Sequence, residues 1–499
     1  MPRPTTIVRL PPPSAQTPAG AAATEGLPAA VVDAALNDLL AELETPSGFP
    51  AEVEEDARRS AREPALPGTD WTDVGFVTID PPGSVDLDQA VHLERRGAGY
   101  RVRYAIADVP AFVRPGSPVD AEARRRGQTL YAPHTRVPLH PAVLSEDAAS
   151  LLPGQVRPAF VWVVDLDSDG EVVAVDVVRA LVRSRVQLTY AEVQAACDEG
   201  RLDGALAELP RIGALLIALE AARGGSGIAV PDQEVVPVPG GYELRYRPVV
   251  PVEDWNAQIS LLTGMAAADV MLAGGVGILR TMPAPDDRTL ARFHRQAAAL
   301  GHPWPAELSY GHFLRGLDPA EPSQLALLHA STSLFRGAGY TPFDGAAPEQ
   351  VVQAAVAAEY AHVTAPLRRL VDRFGLVVCE ALCRGAEVPA WVRQALPTLP
   401  GAMSDSDRRA GALERASIGL AEALALASRV GETFSAVVVD VEERAREDGR
   451  EQGLVQLREP AVLARCSGAL VLGAEVRVRL EEADPVGRRV TFALAEPPA

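Results

Sequence analysis

Apolar residues recur at helical spacing near the start of the chain, at Val32, Leu36, Leu39, Leu40 and Leu43, which predicts an amphipathic helix from Pro28 to Leu43. A second helical stretch runs from Glu52 to Glu63 and ends at a linker from Pro64 to Pro67. From Gly75 the texture changes to alternation. Phe76-Val-Thr-Ile79, then Val102, Tyr104 and Ile106, then Phe160 to Val164 facing Val172 to Val178, read as strands joined by turns up to about residue 190. Helical patterns follow from Tyr190 to Arg223, from Trp255 to Leu279, and with interruptions from Arg288 to Gly385. After Ala427 short β segments return, at Thr433 to Val441, Gly453 to Leu457, Glu475 to Leu480 and Arg489 to Leu494, as expected for a small five-stranded barrel of the oligonucleotide-binding type. The fold class expected is therefore multidomain α+β. It divides into a flexible lead-in at 1–26, a helical unit at 27–67, a mixed α/β domain at 68–427 and the barrel at 428–499. No repeat of fixed period is present.

Composition narrows the chemistry. All 47 basic residues are Arg, and the absence of Lys excludes Schiff-base enzymes, P-loop NTPases and ordinary kinases. Basic 47 minus acidic 66 gives a net charge of −19, which argues against loose coating of a polyanion. It leaves room for a local positive channel, for which Arg124 to Arg126, Arg292 with Arg295, and Arg368 with Arg369 are candidates. Four Cys without a C-x-x-C pair read as core residues, and eight scattered His lack zinc spacing. The first 26 residues contain no apolar leader segment and no later run is long, apolar and uncharged, so the expectation is a cytoplasmic protein with no membrane partner. Asp165 to Gly170 opens like a calcium loop, but its β-branched flanks favour a hairpin. Gly274 to Gly277 lacks the spacing of a dinucleotide fingerprint.

The segment Phe76 to Leu93 carries the most chemistry. On a strand, Asp86 and Asp88 would share one face, and Pro81-Pro-Gly83 can turn Asp80 back toward them. Three hard oxygen donors would then suit Mg²⁺ or Mn²⁺. Spacing alone favours a solvated turn with hairpin acids.

This segment resembles the Asp-rich signature of the ribonuclease II family, also called the RNB family. The resemblance continues through Tyr104-Ala-Ile-Ala-Asp108-Val109, the run from Asp120 to Pro133, Pro138-Leu-His-Pro141, Leu144-Ser145 and Ser150-Leu-Leu-Pro153. It resumes in the Y-A-H-V-T-A-P-L-R-R-L-V-D stretch from Tyr360 to Asp372, in Arg408 to Arg415, and in the terminal barrel from Val430. It spans about residues 70 to 499. It implies an RNB-type catalytic domain followed by an RNA-binding OB barrel. The activity implied is a processive hydrolytic 3′-to-5′ exoribonuclease that acts on single-stranded RNA, releases nucleoside 5′-monophosphates and depends on Mg²⁺, with Mn²⁺ as an alternative.

By position in the motifs, the resemblance implies that Asp80, Asp86 and Asp88 are catalytic and hold metal together with Gln89, which stands where the family has a fourth Asp. Arg368 would grip the scissile phosphate. Tyr131 would stack on a nucleotide, Arg369 would support the substrate and Glu414 would touch the last ribose. Without the resemblance the arginines read as a solvated helix face, Tyr131 as a core tyrosine and Glu414 as an exposed helix residue.

Ala365, Leu367 and Leu370 also depart from the family pattern. About 65 residues ahead of the domain cannot hold two cold-shock barrels. The helical unit replaces them and is compatible with a helix-turn-helix-like binder. A catalytically weak RNA-binding factor of the same fold and a phosphodiesterase of small nucleotides are the alternatives, and a monomer is expected.

Overall fold

The structure is a computed structural model. It describes residues 29–495 apart from 44, 47, 133–134, 227–231, 239–240, 248–249, 306, 443–451 and 458–459, with backbone only at 29–32, 232–238 and 241–247. The lead-in expected at 1–26 lies outside the described residues.

Along the chain, α1 (Ala29–Glu42) and α2 (Ala51–Arg62) precede strands β1 (Thr69–Asp70), β2 (Phe76–Ile79), β3 (Gln89–Arg96) and β4 (Gly99–Ala107). Helix α3 (Pro118–Arg126) leads into a hairpin of β5 (Leu130–Tyr131) and β6 (Arg136–Val137), and a longer hairpin of β7 (Val156–Leu166) and β8 (Val172–Leu188) follows. Next come α4 (Tyr190–Asp198), α5 (Leu209–Ala222), the pair β9 (Asp232–Val238) and β10 (Gly241–Arg247), and α6 (Pro251–Gly274). Strand β11 (Val276–Thr281) pairs antiparallel with β12 (Gly339–Asp344) across α7 (Asp287–Ala299), α8 (Tyr310–Arg315) and α9 (Pro322–Ser331). The short pair β13 (Val352–Gln353) and β14 (Ala358–Glu359) precedes α10 (Leu370–Cys383), α11 (Ala390–Ala395) and the long α12 (Leu399–Leu426). The chain ends in β15 (Thr433–Val441), β16 (Gln452–Leu457), β17 (Val462–Ser467), β18 (Glu475–Asp484) and β19 (Arg489–Leu494).

The main sheet runs in the order β1-β8-β2-β3-β4-β7, and the 17-residue β8 also pairs with β7, so the sheet wraps back on itself. Both its faces are buried, which period-two alternation makes visible. Val91, Leu93, Tyr104, Ile106 and Trp162 pack toward α4, α5, α6 and α10, whereas the intervening Ala90, Ala105, Ala107 and Val161 pack toward Val53, Val119, Leu144 and Leu367. The small residues on the second face let loops carrying polar groups approach the sheet closely.

Several sequence expectations are adjusted here. The helix expected to continue to Leu279 stops at Gly274, because Gly275 adopts a left-handed cap at φ 70°, and the remaining apolar run is β11. The Asp165 to Gly170 segment is the β7–β8 turn, with Asp167 Oδ1 accepting from the amides of Asp169 and Glu171. The terminal barrel closes in the order β15-β16-β17-β19-β18, and β17 is the strand that alternation did not single out. Helix α6 is apolar and long enough to cross a membrane, yet its buried residues include Ile259, Leu262, Ala266 and Met271 of the main core.

The N-terminal helices are part of the domain surface. Leu36 and Leu39 of α1 pack with Leu413, Leu420 and Leu424 of α12 and with Leu130, Ala132 and Val137 of the β5–β6 hairpin. Helix α2 lies on α3, where Asp56 accepts from the Val119 amide. Arg126 reaches the Gly48 carbonyl and stacks 3.8 Å from the Phe49 ring centroid. Arg124, Arg125 and Arg126 are engaged by Asp120 and Glu122, so this trio braces α3.

Candidate active site

Asp80 follows β2, where its amide donates to the Leu188 carbonyl at 3.0 Å, and the chain then turns through Gly83 at φ 77°. The segment carrying Asp86 and Asp88 is irregular, because β3 starts only at Gln89. Side chains replace a ladder there. The Ser150 hydroxyl accepts from the Leu87 amide at 2.9 Å and donates to the Val85 carbonyl at 2.7 Å, and Gln187 donates to the Ser84 carbonyl at 2.8 Å. The Ala107 and Leu151 amides complete the set by donating to the Asp88 and Leu87 carbonyls.

Each carboxylate of the pair meets a cation. Asp86 Oδ1 lies 2.7 Å from Arg136 Nη1, and the Tyr131 hydroxyl is 3.4 Å from its Oδ2. Tyr131 and Arg136 stand opposite one another across β5 and β6, so one hairpin presents both to Asp86. Asp88 is 5% exposed, accepts from the Leu367 amide at 2.8 Å and lies 3.3 Å from Arg368 Nε. Burial pushes its carboxyl up to about 8, with Arg368 and the Leu367 amide pulling back and Asp86 and Asp372 adding to the rise.

Arg368 and Arg369 do not lie on a helix. They occupy a turn ahead of α10, fixed because the Arg368 carbonyl accepts from the Thr129 amide and the Gly127 carbonyl from the Leu370 amide. Arg369 forks onto buried Asp372 at 2.9 and 2.7 Å, and Asp372 also accepts from the Ala365 amide at 2.7 Å. That lock makes Arg369 a positioning residue for the turn, while Arg368 keeps 29% of its side chain exposed in the site.

Gln89 brackets the same turn from the other end. Its Nε2 donates to the Thr364 carbonyl at 2.6 Å, and its Oε1 accepts from the Tyr104 hydroxyl at 2.6 Å. Tyr104 also meets Ser260 Oγ at 2.8 Å. The amide is therefore committed to backbone and phenol. Among the described residues no group of three or more His, Cys, Asp or Glu is placed to hold a metal ion. The expected metal set of Asp80, Asp86, Asp88 and Gln89 is thus not assembled in this arrangement: arginines face Asp86 and Asp88, and Gln89 supplies an N–H where a ligand oxygen was expected.

Glu414 lies on α12, one residue beyond Leu413, which packs with Leu130 behind Tyr131. Sequence reasoning missed Arg136, whose signal was its place in a short alternating hairpin with Tyr131. It also missed a buried network under the Arg368 turn. Arg280 lies 4.5 Å from the Tyr340 ring centroid and 3.6 Å from Asp407, and Tyr340 hydrogen-bonds His362 at 2.8 Å. Burial, with Arg369, Arg280 and Arg368 nearby, holds His362 well below its ordinary value, so it stays neutral.

Residues 69–378 match the RNB domain family, and residues 432–495 match the RNase II-type exonuclease C-terminal S1 domain. The chain belongs to the RNB family. Ribonuclease R of Aquifex aeolicus is 27% identical over 84% of this chain and 64% of its own length. Exosome complex exonuclease RRP44 homolog A of Arabidopsis thaliana is 27% identical over 60% of this chain and 33% of its own length. The chain thus spans a third of one of these RNB relatives and under two thirds of the other. Among solved structures, Mycoplasma genitalium RNase R in complex with ribose methylated single-stranded RNA superposes with a TM-score of 0.78 at 18% identity, covering 92% of this chain and 77% of that one. Yeast Ssd1, a pseudonuclease, superposes with a TM-score of 0.69 at 16% identity, covering 90% of this chain and 57% of that one. The RNB fold with its terminal S1-type barrel is common to these chains. Metal dependence is general among RNB exoribonucleases.

Proposed function

We propose that this protein is a hydrolytic 3′-to-5′ exoribonuclease that degrades single-stranded RNA processively to nucleoside 5′-monophosphates, as a cytoplasmic monomer. The observation that carries the reading is the convergence of Asp88, Arg368, Asp86 and Tyr131 in a domain matched to the RNB family.

The residues present can bind and orient a terminal phosphodiester. Arg368 approaches Asp88 through Nε, which leaves the outer edge of the guanidinium for phosphoryl oxygens, whose negative charge grows as water attacks. The buried Arg369–Asp372 fork fixes the turn, so that this guanidinium is held in place before substrate arrives. Tyr131 offers its ring to a base while its hydroxyl faces Asp86. Glu414 is assigned to the last ribose on its place beside the Tyr131 hairpin. Mg²⁺, or Mn²⁺ in its stead, is the ion we assign to the reaction. The carboxylates as placed do not form its site.

One digestion decides between this reading and an RNA-binding factor of the same fold, which the committed Gln89 amide and the likeness to a pseudonuclease support. RNA labelled at its 5′ end, incubated with the full chain and Mg²⁺, should shorten from the 3′ end with release of 5′-mononucleotides. Intact RNA that nevertheless shifts in a binding assay would transfer the protein to the binding class.

A further inference from the structure

Near the end of β11, Arg280 is a mostly buried cation with unused donors. Its amide donates to the Tyr360 carbonyl at 2.7 Å, and across the ladder it stands opposite Tyr340, whose ring centroid lies 4.5 Å from the guanidinium carbon. Only 13% of the side chain is exposed. Among the described residues the acid set beside it is Asp407, at 3.6 Å from Nη1, which is beyond hydrogen-bond reach. Nε and Nη1 are shut off from solvent without a hydrogen-bond acceptor, which leaves Nη2 as the open end of the group. Such a guanidinium is costly to keep unless an acceptor arrives.

The surroundings narrow what that acceptor is. Asp407 turns one oxygen to Gln128 Nε2 at 3.3 Å, and Gln128 is bridged through backbone to Arg369, so the pair is tied to the turn that carries Arg368. Tyr340 meets His362 Nδ1 at 2.8 Å, and the charges of Arg369, Arg280 and Arg368 all bear on that ring. Arg369 is already committed to Asp372, whereas Arg280 is not. On α12, Asp407 stands seven positions before Glu414, about two turns along one face, so Arg280 lies farther along the helix that carries the residue assigned to the last ribose. We propose that Arg280 binds a phosphate of the RNA backbone upstream of the scissile one, taking it in place of its weak partner Asp407. With the subsite empty, Asp407 holds the guanidinium loosely, and its charge opposes the incoming phosphate.

This subsite belongs to the exoribonuclease reading, but its test needs no digestion. Short single-stranded RNAs with a 5′ fluorophore, each carrying one neutral methylphosphonate linkage next to a 2′-deoxy sugar, are bound to the full chain in EDTA. Anisotropy compares them with charged controls of the same sugar. In wild type, neutralising one linkage upstream of the terminal one should weaken binding about tenfold, the size of a charge-assisted contact. Arg280→Gln should weaken binding of the charged RNA by about as much and abolish the penalty at that linkage alone. It should also lower the log–log salt slope by about 0.7, the share of one phosphate on a single strand. Asp407→Asn should tighten binding roughly threefold, and neutralising the same linkage should remove the gain. The Asp407 side chain is 41% exposed and Asn keeps an acceptor for Gln128, so this variant decides the matter alone if melting curves show that Arg280→Gln does not fold.

An identical linkage pattern in wild type and Arg280→Gln, or an Asp407→Asn gain that survives at every neutral linkage, would overturn the subsite and leave the nuclease reading standing. The expected pattern in a protein that leaves RNA intact with Mg²⁺ would sustain the subsite and remove the nuclease reading. No RNA bound would remove both.

Discussion

The Asp88 carboxylate accepts a hydrogen bond from the Leu367 amide at 2.8 Å, although 279 positions separate the two residues. This contact fixes the Arg368 turn against the aspartate segment, and Arg368 Nε then lies 3.3 Å from the same carboxylate. Asp88→Asn keeps an oxygen for the amide but can no longer ionise beside Arg368. RNA digestion should fall by at least about a hundredfold, the usual cost of removing one electrostatic contribution at a reacting centre. RNA affinity measured by fluorescence anisotropy should change little, because most of it comes from contacts along the backbone and bases. Digestion at near wild-type rate would remove Asp88 from the machinery.

Tyr131→Ala should alter the length of the final resistant fragment, not the initial rate on long RNA. A stacked base contributes about 1 to 3 kcal/mol, and short ends have few other contacts. Sizing the end products on a sequencing gel reads this directly, and an unchanged end product would return Tyr131 to a packing role.

Gln89→Asp restores the fourth acid of the family motif and should nevertheless destabilise the protein. The shorter side chain loses the N–H that satisfies the Thr364 carbonyl and places a negative charge near it. The expected cost is about 1 to 3 kcal/mol in urea unfolding, the penalty of an unsatisfied buried polar group. Gln89→Glu, similar in length but lacking the donor, should fall by a similar amount; a neutral outcome for both would mean that the bracket carries no weight.

Asp108 supplies a pH dependence away from the site. It is fully buried, caps the short turn at Ala111 and pairs with Arg179 at 2.6 Å. Burial pushes its carboxyl up to about 6, against the pull of Arg179 and the Ala111 amide. A raised carboxyl means that the folded state binds the proton more tightly, so its contribution to stability is full below about pH 4 and is lost as pH rises through about 6. Burial holds His140 down to about 3, so its contribution runs the other way, lost as pH falls from about 6.5 toward 3. Comparing unfolding of wild type and Asp108→Asn from pH 4 to 7 isolates the first effect. The variant should lack a decline on the order of 1 kcal/mol per pH unit, and parallel curves would place the Asp108 carboxyl at its ordinary value.

Removal of residues 430–499 should expose more than a binding surface. Leu325 and Ala326 of α9 pack on Val437 and Val439, and Ala423 and Leu426 of α12 belong to the barrel core. Truncation therefore uncovers apolar faces on two helices. Light scattering should show association, and a second cut that also removes residues from Ser417 onward should not restore solubility, because it leaves Leu325 and Ala326 uncovered and strips Leu420 and Leu424 from Leu36 and Leu39 of α1.

The sheet, the barrel and the position of the aspartate segment were legible because each has local periodicity or a turn signal. Alternation along Val91, Leu93, Tyr104 and Ile106 marks a strand wherever it occurs. The Gln89 amide was not legible as a bracket, since its partners Thr364 and Tyr104 are 275 and 15 positions away and no spacing rule connects them. Arg368 read as helical because Leu370 to Cys383 is helical, and the boundary depends on a bridge between Gln128 and Arg369. Asp86 and Asp88 were expected on a strand, but Ser150 holds their backbone from 63 positions away. In each case the deciding contact reaches backbone distant in sequence, which leaves no pattern in either segment.

The Tyr131 hairpin is held between a helix from the start of the chain and one from near its end, and Glu42 of α1 also pairs with Arg488 in the barrel. The order of synthesis follows from this. A nascent chain that has emerged through β8 already carries all three aspartates, yet it lacks Arg368, the amide that donates to Asp88, and the leucines of α12 that back the hairpin. Until those segments leave the ribosome, Asp86 can already meet Arg136 and Tyr131, whereas Asp88 lacks Arg368 and the Leu367 amide. A growing polypeptide therefore cannot bring Arg368 and the Leu367 amide onto Asp88 until the segment 279 positions beyond it has been made.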